Sequence, residues 1–179
     1  LFIVLSFSDE GCKKDEGEMI IIILKTLLVG IGATLAIDLW VTLLKVFNIK
    51  SLDYKYVGRW IGNFHKGKFF HNKIQDTPPI PHELIIGWII HYLIGITFAF
   101  ILIAVYGINW LDKPSFPPAI IIGLITAAGP FFIMQPAFGF GIASSKLPHP
   151  NLLRLKSLGT HLIYGIGLYG NAILLNVIL

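Results

Sequence analysis

Four stretches of the chain, 20–47, 84–107, 118–143 and 160–179, are built almost wholly from apolar residues, and polar residues collect in the segments between them. Each stretch reaches the roughly 20 residues that a helix needs to cross a hydrocarbon core about 30 Å thick. No segment alternates polar and apolar residues as a barrel strand does, and an open sheet in lipid leaves its edge groups unpaired. The pattern therefore predicts an all-α, polytopic membrane protein, a four-helix transmembrane bundle.

The first stretch is the least regular, because it contains Lys25, Asp38 and Lys45. A central aspartate opposes insertion by roughly 2.5–3.5 kcal/mol, whereas an Ile, Leu or Val favours it by about 0.3–0.6 kcal/mol. Twelve such residues lie between positions 20 and 40, so the stretch inserts, with the two lysines snorkelling to opposite interfaces. Residues 1–18 read differently. LFIVLSF is too short to span, a charged run follows it, and the order of charge and apolar residues is not that of a signal peptide. Met19 reads as a natural start, which makes 1–18 a non-native or disordered extension and 19–179 a single four-span domain.

Composition agrees. Of 179 residues, 55% are hydrophobic and 13% charged, against roughly 25% charged in a soluble domain, so there are too few charges to coat a water-facing surface. The net charge of +4 does not imply nucleic acid, because no basic helix or zinc-ligand pattern accompanies it. The single cysteine, Cys12, excludes an internal disulfide.

The distribution of basic residues predicts the orientation. Lys50, Lys55, Arg59, Lys66, Lys68 and Lys73 fall between the first two stretches, and Lys146, Arg154 and Lys156 before the last, but only Lys113 between the second and third. The positive-inside rule places loops 48–83 and 144–159 in the cytoplasm and both termini outside, in a bacterial inner membrane. Within the longer loop, 53–64 has Tyr54, Val57, Ile61 and Phe64 at helical spacing. It predicts a short interfacial helix along the membrane surface, with Tyr54, Arg59 and Trp60 as its interfacial residues. Thr77-Pro-Pro-Ile-Pro81 then breaks any helix. His65, His71 and His82 have no metal-ligand rhythm and read as solvated loop residues.

Ionisable and amide side chains within spans are costly and usually face the bundle interior. Asp38, His91, Gln135 and His161 lie on four different spans, all in the half nearer the basic loops, and form a candidate intramembrane polar cluster. Small residues share their faces: Gly30 and Thr34 with Asp38, Gly87 and Gly95 with His91, and Gly165 with His161. Such stripes let membrane helices approach closely. The cluster reads as a binding or proton-handling site, Asp38 its anion and a histidine its titrating partner, or as interhelical hydrogen bonding alone. Two histidines and a carboxylate without local spacing are a weak metal signal, so no metal and no cofactor is expected. Pro130 and Pro136 predict a kink or local unwinding in the third span. Asn171 and Asn176 can add interhelical bonds. HYLIG at 91–95 and HLIYG at 161–165 both open a span from the same side, which suggests two parallel hairpin repeats.

The stretches VGIGATLAIDLW (29–40), SLDYKYVGRWIG (51–62), GWIIHY (87–92) and PFFIMQP (130–136) resemble a family of uncharacterised bacterial integral membrane proteins that carries a domain of unknown function. The resemblance covers about 19–173. It implies the four-span architecture and no activity, and it brings no catalytic residues. Three functions are consistent with the residues. The first is a small transporter, channel or accessory protein that uses the polar cluster. The second is a structural or partner-binding subunit, self-associating or joined to another chain, whose basic loop contacts anionic lipid. The third is a lipid-modifying enzyme with a histidine base, the least favoured because neither a nucleophile motif nor a phosphate loop is present.

Overall fold

The fold was described from a computed structural model, which covers residues 2–49 and 51–178, with side chains from residue 16 onward. The expected extension at 1–18 falls almost wholly outside the fully described residues. Among the described residues seven α-helices run in the order α1 (Phe2–Val46), α2 (Tyr54–Gly62), α3 (Glu83–Tyr106), α4 (Asn109–Asp112), α5 (Phe116–Thr126), α6 (Gln135–Ala137) and α7 (Pro150–Ile178). There is no strand among the described residues. Four segments of the described residues are long and apolar enough to cross a membrane: Glu16–Val46 of α1, α3, Phe116–Ala137 and α7.

The second span begins and ends within one residue of expectation, and the others differ for local reasons. The third ends at Ala137 rather than 143, because Gly139 and Gly141 take φ of 86° and 75°, which no helix continues. Before that, α5 stops at Thr126, and Pro130–Met134 forms a π-turn in which the Gln135 amide reaches the Pro130 carbonyl. This is the unwinding the two prolines predict. The fourth span starts at Pro150, ten residues early, because a proline suits the first turn of a helix and Arg154 and Lys156 do not interrupt it.

Within the bundle α1 lies between α3 and α7, and α7 between α1 and α5. Thr26, Val29, Ala33, Thr34 and Ile37 form the buried stripe of α1 at helical spacing. Val29, Ala33 and Ile37 join Ala99, Leu102, Ile122, Tyr164 and Leu168 in one core. The outward side chains of the same helices, such as Leu28, Leu39, Leu93 and Ile125, remain exposed, as lipid-facing residues should be. Small residues set the helix distances. A Cβ on Gly123 would stand 2.7 Å from the Gly165 Cα, and one on Gly167 2.9 Å from the Ala33 Cα. At the α4 end of the bundle Lys25 pairs with Asp112 at 3.2 Å, and the Asn176 amide donates to the Leu111 carbonyl at 2.7 Å. Asn171 instead donates to Gly167 of its own helix.

At the other end the two basic loops fold together into a cap. Val57, Ile74, Ala137, Phe138 and Phe140 make a second core beneath Trp60, Ile61 and Leu147. The His71 amide donates to the Ala137 carbonyl at 2.8 Å and the Ile74 amide to Phe138 at 3.0 Å. The expected short helix is present as α2, started by the Asp53 carboxylate accepting from the Lys55 amide. It is packed against the first turns of α3 rather than resting on lipid alone. Two glycines allow this: a Cβ on Gly58 would overlap the Glu83 carbonyl oxygen, and one on Gly87 the Tyr54 carbonyl oxygen. Arg59, expected at an interface, is buried. It holds Glu83 through two bonds of 2.8 Å and donates to the carbonyls of Ile74, Gln75 and Thr77. Trp60 is half-buried, its indole N–H donating to the Phe69 carbonyl at 2.7 Å.

His71 is a further correction, since it is a buried residue of this cap and not a solvated one. Its Nδ1 lies 2.8 Å from Thr77 Oγ1, and its Nε2 has no hydrogen-bond partner among the described residues. Burial, then the charges of Lys68 and Arg59, hold the imidazole below its ordinary 6.5. The unfolded chain thus takes up a proton near pH 6.5 that the folded cap takes up only at lower pH, so stability falls as pH drops through 6.5. Melting in detergent at pH 7.5 and 5.5 should show a loss at the lower pH that is smaller in His71→Gln.

Candidate functional site

Asp38 on α1 and His91 on α3 face each other where these two helices pack, each eight residues inside the α2 end of its helix. At 1.5 Å per residue this is about 12 Å deep. The Asp38 Oδ1 is 3.1 Å from His91 Nε2, with the side chains 13% and 14% exposed. The other carboxylate oxygen accepts from the Tyr92 hydroxyl at 2.8 Å. Tyr54 enters from α2, its hydroxyl 3.0 Å from His91 Nε2 and 3.5 Å from Asp38 Oδ1. Its ring stacks on His91 with centroids 4.2 Å apart, and Trp88 closes edge-on against Tyr54 at 4.6 Å. Gly87 makes this entry possible, because a larger residue there would push α2 away.

Hydrogen placement follows from the distances. A bare imidazole nitrogen and a carboxylate oxygen 3.1 Å apart repel unless a proton lies between them, so Nε2 donates to Asp38 or a protonated Asp38 donates to Nε2. In the first state the Tyr54 hydroxyl donates to Asp38, and in the second it is placed to donate to Nε2 or to turn away. Burial, reinforced by the Asp38 charge, raises the Tyr54 hydroxyl far above its ordinary value, so it stays a donor. The site can thus exchange a proton between a carboxylate and an imidazole while the surrounding phenols reorient.

Of the four polar residues expected together, the structure brings together Asp38 and His91. Gln135 is buried in the cap, its carbonyl oxygen accepting from Ser144 Oγ at 3.1 Å. His161 Nδ1 is 2.6 Å from Thr126 Oγ1 on α5. With the third span ending at Ala137 and the fourth starting at Pro150, Gln135 lies two residues and His161 eleven residues inside the cap end of its span, and both bond elsewhere. The packing glycines do meet neighbouring helices: Gly30 backs onto Ile96, Gly95 onto Thr34, and Gly165 onto Ala119. The two hairpins are alike in this respect. In each, a histidine bonds a side chain of the preceding span, and the glycine four residues later abuts that span. A carboxylate occupies this place in the first hairpin and a hydroxyl in the second.

Tyr92 and Trp88 complete the site although neither was picked out from the sequence. Their signal was available, since positions 88, 91 and 92 share one face of α3. The role of Tyr54 had no such signal, because it depends on how α2 docks. Among the described residues no group of three or more His, Cys, Asp or Glu side chains is arranged to hold a metal ion.

A family described as "Protein of unknown function (DUF2938)" matches residues 27–175, a stretch that contains Asp38, His91, Gln135, His161 and the cap. No curated protein and no solved structure matches the chain.

Proposed function

The chain belongs to this DUF2938 family, and from that premise we propose that it is a small transporter or channel-like protein of a bacterial inner membrane, with Asp38 and His91 as its proton- or solute-handling site. The observation that carries this reading is the carboxylate–imidazole contact about 12 Å inside the helices, where an ionisable pair usually marks a pathway. By loop charge the cap faces the cytoplasm and both termini lie outside. Tyr54, brought in by the cap, then sits between the pair and the cytoplasm as a gate. Tyr54 has to leave His91 for the pair to meet water.

The test is proteoliposome flux reported by an internal pH-sensitive dye under an imposed pH gradient. Wild-type protein is expected to dissipate the gradient, and Asp38→Asn to reduce the rate at least tenfold, about 1.4 kcal/mol or more. Equal rates in the two proteins would sink the proposal. A second reading draws on a different observation: both Asp38 oxygens are hydrogen-bonded, and they tie α1 to α2 and α3. A structural or partner-binding subunit of this kind would show no flux in either protein and a lower melting temperature in Asp38→Asn.

A further inference from the structure

Outside the spans, the cap has a cavity of about 430 Å³ lined by Lys68, His71, Asn72, Lys73, Asp76 and Thr77. This volume lies within the roughly 300–1,000 Å³ of small-ligand sites. Two lysines against one aspartate leave its wall net cationic. The Lys73–Asp76 pair is long, 3.8 Å, and exposed, so it does little to neutralise either residue. In the same wall the buried His71 has a ring nitrogen without a hydrogen-bond partner among the described residues. The loop at its mouth projects Phe69 and Phe70, 49% and 73% exposed, in a segment that is not one of the spans. The loop is fixed rather than loose, because Phe69 accepts from the Trp60 indole and the His71 amide is bonded to Ala137.

Two exposed phenylalanines flanked by Lys66, Lys68 and Lys73 suit a headgroup layer, where rings bury in the acyl boundary and ammonium groups meet phosphates. We propose that this cavity is a binding site for the phosphate headgroup of an anionic phospholipid, held by Lys68 and Lys73 and entered beside Phe69 and Phe70. The phosphate chemistry alone would also suit free inorganic phosphate. The adjacent exposed rings favour the lipid, which has an apolar part to meet them. This site is separate from Asp38 and His91 and does not rest on the flux reading.

Native mass spectrometry of the full chain, released from mixed micelles of phosphatidylcholine and phosphatidylglycerol, tests the proposal. Wild type is expected to retain phosphatidylglycerol over phosphatidylcholine. Lys68→Gln with Lys73→Gln should lower that preference about 25-fold, since each lysine that meets the bound phosphate contributes roughly a factor of five. Phe69→Ser with Phe70→Ser is expected to lower it as well, and the exposed positions of both pairs keep the fold intact. Lys45→Gln with Lys146→Gln, an equal charge loss at the same end but outside the cavity, should leave it unchanged. The proposal is overturned if the control pair reduces retention as much as the cavity pair, or if wild type shows no preference. Displacement of the lipid by 10 mM inorganic phosphate, about tenfold above a Kd of about 1 mM, would assign the cavity to free phosphate and overturn the lipid assignment.

Discussion

Replacing Arg59 with alanine is expected to lower stability by about 3–5 kcal/mol, the range for breaking a buried pair by removing one partner. The side chain is 6% exposed and that of Glu83 15%, so neither charge has water to fall back on. The loss extends beyond the ion pair. The same guanidinium donates to the carbonyls of Ile74, Gln75 and Thr77, and these acceptors would be left short of partners inside the cap. Glu83 also accepts from the Ile80 amide at 3.2 Å, so it would remain as a buried anion with one weak neutral donor. Denaturant unfolding in detergent, with limited proteolysis of loop 48–83, measures the effect. A change below about 1 kcal/mol would mean that the pair contributes no more than an exposed one. Arg59→Met with Glu83→Leu should recover part of the loss, because two apolar residues leave no charge unpaired.

Gly87→Val is expected to displace α2 from α3 and cost about 1–3 kcal/mol, as overpacking does. The new side chain would occupy the position of the Tyr54 carbonyl, and backbone cannot yield as a flexible side chain can. Tyr54 would then withdraw from His91 and Asp38, and amides of α2 should exchange faster with solvent. If Tyr54 is the gate, proton flux should rise in this variant while stability falls, a combination that simple damage does not produce. Gly170→Ala is the matched control: a Cβ there meets nothing within 4 Å, and its effect should stay within about 0.5 kcal/mol. Exchange in α2 that is unchanged in Gly87→Val would show that the two backbones do not depend on this contact.

The spans were legible because lipid imposes one requirement on every outward position, and a run of apolar residues records it regardless of what packs inside. Asp38 and His91 were legible for a related reason, since their depth and their small-residue stripes restrict where they can face. Depth does not fix lateral position, however. Gln135 and His161, expected at the level of the pair, each bond instead to a residue of a neighbouring turn or helix that no periodicity identifies. The cap was the least visible part. Its bonds join residues far apart in sequence, His71 to Ala137 and Ile74 to Phe138, and they use backbone groups that every residue possesses. The charge of Arg59 indicated a surface, and only the Glu83 carboxylate and three converging carbonyls make its burial tolerable.

The central position of α1 also bears on biosynthesis. Of these four spans the first to leave the ribosome has one neighbour, α3, that follows soon after, and another, α7, that comes last of the four. Until α7 is inserted, Ala33 and Ala36 present a shallow surface to lipid where Gly167 will later fit, and α5 lacks the helix against which Gly123 packs. The nascent protein therefore passes through a stage with one completed hairpin and one unpaired span. Quality-control proteases and insertion chaperones would meet it in that form.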